Sequence, residues 1–177
     1  MKELSLGETY NKTYVAIPIT ESPLFSWVQS INGNKKFYHI TILFLGKIEE
    51  EMFPKIKEAM LSIPESGSFI PIIPEKLGFL GEKRGLFALK IKRTDELEKI
   101  RETLDKALPK NEWSNFNFLP HVTIKTAKRG EFSKHDRERL LEIYDRSKLL
   151  DPYKAETVGL YYRTEEGSTA LLFKKKL

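Results

Sequence analysis

The chain has 177 residues, with 30 Lys and Arg against 25 Asp and Glu and no cysteine, a length that buries roughly 70% of the unfolded surface in one or two compact domains without a staple. Absent cysteines exclude disulfides, thiolate metal sites and cysteine nucleophiles and agree with a reducing cytoplasm, while the net charge of +5 favours an anionic ligand without requiring a nucleic-acid groove. Residues 1–30 lack a sustained apolar stretch behind a basic start, and no apolar run reaches 18 residues, so the expectation is a soluble, cytoplasmic monomer with no membrane partner.

In chain order, residues 14–19 read as an opening strand, and Ser22-Pro23 starts a helix that runs through Ile31 and ends at Asn32-Gly33. Residues 37–45 are β-branched and apolar and read as a strand. A helix over 49–63 follows, with Met52, Ile56, Ala59 and Met60 on one face. Two strands, around 75–79 and over 86–91, are separated by a short Gly-containing link that predicts a hairpin. Asp95 is an N-cap or first-turn acid for a helix over 96–108, stopped by Pro109. The strand over 118–124 precedes a helix over 134–146 with Leu140, Leu141 and Tyr144 inward. A second hairpin, around 156–160 and 167–174, leads to Lys174-Lys175-Lys176, which reads as a solubilising tail. Loops are expected at 65–68, 82–85, 111–115 and 164–168.

The chain repeats itself. His39-Ile40-Thr41-Ile42 and His121-Val122-Thr123-Ile124 lie 82 residues apart, in a chain with only three histidines. Residues 85–92 and 167–174 share that offset, residues 75–79 resemble 156–160 at an offset of 81, and residues 14–19 are the first-half counterpart of 86–91. This order predicts an α+β fold: two pseudo-symmetric lobes, each an antiparallel sheet with helices outside, flanking a central cleft. The whole of 1–177 is then one bilobal domain, with repeat units at roughly 36–92 and 118–177 and with 12–35 and 93–117 completing the lobes.

In a strand, side chains at i and i+2 share a face, so each motif presents an imidazole with a hydroxyl. Ile40, Ile42 and Phe44, like Val122 and Ile124, then face the core. Cleaving a phosphodiester needs a base for the nucleophile and an acid for the leaving oxygen. Two imidazoles, with unperturbed pKa near ~6.5, supply both near neutral pH, and two threonine hydroxyls can donate to the non-bridging phosphate oxygens.

The doubled His-x-Thr, Phe44-Leu45-Gly46 after the first copy and Leu119-Pro120 before the second resemble the 2H phosphoesterase superfamily. Within it they are most similar to the bacterial and archaeal RNA 2′,3′-cyclic phosphodiesterase branch, often labelled 2′-5′ RNA ligase. The resemblance spans essentially the whole chain. It implies a bilobal fold, metal-independent catalysis and RNA ends or small nucleotides with a cyclic phosphate as substrates. It also implies His39 as acid to the leaving 3′ oxygen, His121 as base toward water, and Thr41 and Thr123 as phosphate holders. Members of that branch usually have an arginine five residues past the second histidine, where this chain has Thr126.

Lys125 is the expected replacement, because an unbulged strand puts it on the face of His121 and Thr123. Lys128 and Arg129 are further candidates, and Phe37, Tyr38, Trp113, Phe116, Phe118, Tyr161 and Tyr162 include candidates for stacking a base. His135 opens a charged helix and is expected to face solvent. Gly78, Gly81 and Gly85 lack the spacing and terminal Lys-Ser/Thr of a triphosphate loop, and two histidines do not complete a zinc site, so no cofactor and no metal are expected. The reading is an enzyme that opens 2′,3′-cyclic phosphates. The alternatives are a 2′-5′ phosphodiesterase or ligase acting on 2′-5′ linked oligonucleotides, and a non-catalytic RNA-end binding module.

Overall fold

A computed structural model of the chain describes residues 9–19, 26, 37–65, 69–81, 85–110, 117–127, 130–144 and 152–177. The expected helix over Ser22 to Ile31, apart from Ser26, which is helical, lies outside these residues, as do the loop at 111–115, Trp113, Phe116, Lys128 and Arg129.

Nine strands and three α-helices are present among the described residues. The strands are β1 (Thr9–Pro18), β2 (His39–Glu49), β3 (Ile70–Ile72), β4 (Pro74–Leu80), β5 (Leu86–Ile91), β6 (His121–Thr126), β7 (Tyr153–Ala155), β8 (Thr157–Arg163) and β9 (Thr169–Lys176). The helices are α1 (Phe53–Leu61), α2 (Asp95–Ala107) and α3 (Lys134–Tyr144). Seven strands form one antiparallel sheet in the order β4-β5-β6-β2-β1-β8-β9, and β3 pairs with β7 in a separate ribbon. The class is therefore α+β with antiparallel pairing, as the sequence predicts.

Local chemistry sets most boundaries. The helix expected over 49–63 splits into a short 3-10 turn, Glu50–Met52, and α1, because Pro54 suits a first helical turn and no other position. In α2 the cap is Thr94, whose hydroxyl accepts from the Leu97 amide, so Asp95 is a first-turn acid beside the positive helix end. All three helices pack on one face of the sheet: Ile56, Met60, Leu97, Ile100, Leu104 and Leu140 share one core with Ile40, Ile42, Val122 and Ile124.

The terminal lysines are not a free tail. Lys174, Lys175 and Lys176 belong to β9, and Lys175 is 7% exposed because its Nζ donates to the Leu61 and Ile63 carbonyls at the end of α1. Those carbonyls have no partner within the helix, and a cation there also meets the negative helix end. Leu177 is buried and its amide bonds to Glu156.

The strand order is symmetric about the β6–β2 boundary: β4, β5 and β6 correspond to β8, β1 and β2. The registers repeat residue by residue. Ala16 pairs with Thr41 and Gly159, as Ala88 pairs with Thr123 and Gly78, while Pro18 pairs with His39 as Lys90 pairs with His121. The counterpart relation of 14–19 and 86–91 therefore holds in space. The likeness of 85–92 to 167–174 does not extend to position: β5 lies next to a motif strand, whereas β9 occupies the sheet edge beyond β8.

Candidate active site

Both motifs alternate as expected at first. Ile40, Ile42, Val122 and Ile124 are at most 1% exposed, while His39, Thr41, His121 and Thr123 are half-buried on the opposite face. The halves meet where Ile40 pairs with Val122 in antiparallel register. Continuing that register sets His121 opposite Thr41 and Thr123 opposite His39. The four side chains thus form two crossed His–Thr pairs on one face of two adjacent strands.

Each motif strand then bulges. Ala16 pairs with Thr41 but Val15 with Leu43, so Ile42 is the additional residue; Ala88 pairs with Thr123 but Phe87 with Lys125, so Ile124 is the additional residue. A bulge that sets two residues against one breaks the alternation. Two expectations fail for this reason. Phe44, expected in the main core, joins Tyr14, Ala16, Tyr161 and Phe37 in a second cluster on the histidine face. Lys125, expected beside His121, follows Ile124 to the side of Phe87 and lines a groove with Glu131, Phe132 and Arg137 at the start of α3. Its charge helps to hold the Asp136 carboxyl below the usual range, behind the larger effect of the Ser133 hydroxyl. The residue returned to the face of His121 is Thr126.

The first bulge is held from behind. Arg101 of α2, 9% exposed, donates from Nη1 to the Ile42 carbonyl at 2.7 Å and from Nε to Asp105 at 2.8 Å. Its guanidinium also lies 6.0 Å from the ring centre of Phe118, in the segment that leads into β6.

The two histidines have different surroundings. His121 Nδ1 is 2.7 Å from the Leu119 carbonyl. A carbonyl only accepts, so Nδ1 carries the proton and Nε2 of the neutral ring is the basic nitrogen. Burial pushes the His121 pKa below its ordinary value of 6.5, against the opposing pull of the Leu119 bond. His39 packs among aromatic rings instead, with Tyr14 at 4.7 Å and 24° between planes and Phe37 at 5.2 Å and 23°. Tyr161 completes this group, 4.9 Å from Phe37 and 5.9 Å from Tyr14. Its ring leans over Gly159, where a Cβ would meet the ring edge and hydroxyl at 2.5 to 2.7 Å. Burial raises the Tyr161 pKa to about 12 and also raises that of Tyr14, whose hydroxyl reaches Thr169 Oγ1 at 3.4 Å. Both phenols stay neutral near pH 7.

Of the other expected aromatics, Tyr38 is fully buried in the main core, and Phe118 and Tyr162 pack against it. Only Phe37 and Tyr161 among the described candidates reach the histidine face. His135 is exposed at the start of α3. Sequence reasoning missed two neighbours. Tyr14 sits beside His39, and Lys90 pairs directly with His121. The partial signal was the counterpart relation of 14–19 and 86–91, which makes the two strands equivalent but does not say which strands they flank. Beyond Lys90 the same cross-strand row continues to Lys76; on the other side it runs through Thr41, Ala16 and Gly159 to Lys174. Each threonine is thus flanked by Ala and then Gly, which keeps the face beside it free of bulk.

An antiparallel sheet carrying two His–Thr pairs in symmetric register presents, on one face, the groups that a two-histidine phosphoester site needs. The profile of the 2′-5′ RNA ligase superfamily matches residues 32–165, and the chain belongs to that family of 2H phosphoesterases. No curated protein matches its sequence. Among solved structures it is similar to Escherichia coli LigT complexed with NADP+, at 15% identity and TM-score 0.65, over 95% of this chain and 98% of that one. The protein TT0787 of Thermus thermophilus is alike at 16% identity and TM-score 0.66, over 94% and 97%. LigT complexed with 3′-AMP gives 14% identity and TM-score 0.62, over 96% and 99%. At these identities the likeness establishes the shared fold.

Proposed function

We propose that this chain hydrolyses 2′,3′-cyclic phosphates on RNA ends or nucleotides by two-histidine acid–base catalysis that needs no metal. The observation that supports the reading is the Ile40–Val122 pairing, whose register, continued by one residue each way, puts His39 across from Thr123 and Thr41 across from His121. A phosphate there receives hydrogen bonds from Thr41 and Thr123 on its non-bridging oxygens. His121 is the base: burial favours its neutral form, and the Leu119 carbonyl holds the proton on Nδ1, leaving Nε2 to take a proton from water. The water oxygen bonds to phosphorus as the bond to the 3′ oxygen breaks, and His39 donates a proton to that oxygen. The product is a phosphomonoester, with one proton gained by His121 and one lost by His39, restored through solvent. The solved LigT complexes with 3′-AMP, ATP and NADP+ agree with a nucleotide-sized ligand on this fold.

The decisive experiment mixes the protein with a 2′,3′-cyclic nucleotide in EDTA and looks for a phosphomonoester. Turnover in chelator, lost in both His39→Ala and His121→Ala, is the expected result. Activity that needs an added divalent ion refutes the mechanism, and tight RNA-end binding without turnover points to a binding module.

A further inference from the structure

Two halves that share one register but differ in side chains show what each half has come to hold. At equivalent positions on the histidine face, Tyr14 corresponds to Leu86, Phe37 to Leu119 and Tyr161 to Leu80, so among these described residues the aromatic rings lie on the His39 side. Conversely, Lys90 corresponds to Pro18 and Lys76 to Thr157, so the row beside His121 is cationic where the row beside His39 is not.

The lysine pair bears the marks of an anion site. Lys90 is half-buried, flanked along its strand by Leu89 and Ile91 in the core, and it stands directly across from His121. Its stem turns across the neighbouring strand toward Gly78, where a Cβ would lie in ordinary van der Waals contact with Lys90 Cε at 3.5 Å. Lys76 faces Lys90 directly on β4. Like charges in that relation destabilise a ladder, and among the described residues no carboxylate forms an ion pair with either lysine. A bound anion offsets that repulsion. Neighbouring strands are about 4.8 Å apart, so the two lysines stand one and two strands outside His121, on the side away from Thr41. With the Lys90 stem turned toward β4, the lysines face away from the point between Thr41 and Thr123, toward a phosphate other than the one that reacts.

We propose that Lys90 and Lys76 form a second anion subsite, which binds a phosphate of the substrate other than the one that reacts. The inference rests on the two-histidine reading for the reacting centre and makes its preferred substrate an oligonucleotide end rather than a cyclic mononucleotide.

The test compares adenosine 2′,3′-cyclic phosphate with a tetranucleotide ending in a 2′,3′-cyclic phosphate, in wild type, Lys90→Ala, Lys90→Glu and Lys90→Arg. Lys90→Ala should lower the preference for the tetranucleotide, as the ratio of the two kcat/KM values, by about tenfold; Lys90→Glu lowers it further and Lys90→Arg keeps most of it. The salt dependence of tetranucleotide KM should lose about one unit of log–log slope, as expected for one phosphate contact removed. An unchanged ratio overturns the subsite, whether both substrates fall together or neither moves. A second arm measures binding of a 3′-phosphorylated tetranucleotide and of 3′-AMP to His121→Ala, with and without Lys90→Ala. Selective loss of tetranucleotide affinity supports the subsite even if no cyclic phosphate is turned over, a result that would count against the hydrolase alone. Equal affinities for both ligands overturn the subsite independently of catalysis.

Discussion

At the scale of single residues, His121 and the two threonines make the sharpest predictions. Burial favours neutral His121, so protonating it costs more in the folded chain than in the unfolded one. The stability linked to this group is therefore present above 6.5 and is lost as pH falls through 6.5 toward the depressed folded value. Activity carries the same sign. The kcat/KM profile measured in chelator should be bell-shaped, with its acid limb below 6.5, and an acid limb above 6.5 would exclude His121 as the base. Thr41→Ala and Thr123→Ala should each cost about 1.5–3 kcal/mol of transition-state stabilisation, roughly 10- to 100-fold in rate, the usual worth of a hydrogen bond to a charged group. Serine at either position should restore most of it, and equal loss in Ser and Ala variants would assign the effect to the methyl group. That each motif sets its histidine and threonine on one face was legible in the sequence, because period-two alternation holds from His39 to Thr41 and from His121 to Thr123; the crossing of the pairs came from the register. Lys125 was misplaced because alternation stops at the next residue.

Elements decide where that alternation stops. Nothing in Ile42-Leu43 or Ile124-Lys125 marks a bulge, since both pairs are compatible with a regular strand. The bulge exists because a neighbouring strand fixes the pairing and, at Ile42, because Arg101 takes up the main-chain carbonyl. Arg101→Met keeps much of the stem but leaves that carbonyl without its donor and the Asp105 carboxylate with Lys110 as its cationic partner. The variant should lose about 1–3 kcal/mol in urea unfolding, the cost of an unsatisfied buried group. Loss of activity beyond the unfolded fraction is expected at fixed temperature, since Thr41 adjoins the bulge. A variant as stable as the parent would show that Arg101 holds nothing the strand needs. The same logic separates Thr94 from Asp95: adjacent residues of similar capping ability are distinguished only by where the backbone turns helical.

For the whole molecule, the terminal lysines show how much depends on position. Lys175→Ala removes the donor from the Leu61 and Ile63 carbonyls and should cost about 1–3 kcal/mol, whereas Lys174→Ala and Lys176→Ala, on exposed positions of the same strand, should stay within about 0.5 kcal/mol. Chemical denaturation of the three variants checks this, and three equal results would return the segment to the status of a tail. No helix among the described residues is long and apolar enough to cross a membrane. By itself the sequence determined the α+β class, the antiparallel hairpins, the repeat and the residues of both His–Thr pairs. These follow from local periodicity and from an offset that any chain carrying the repeat must display. Only the tertiary structure decided that β1 and β5 flank the motifs, that Lys90 rather than Lys125 stands beside His121, that Tyr14 lies against His39 and that Lys175 is buried. Each of these is a matter of register between strands or of packing against a helix distant in sequence. The free energy that selects them belongs to contacts between segments, which no pattern within one segment encodes.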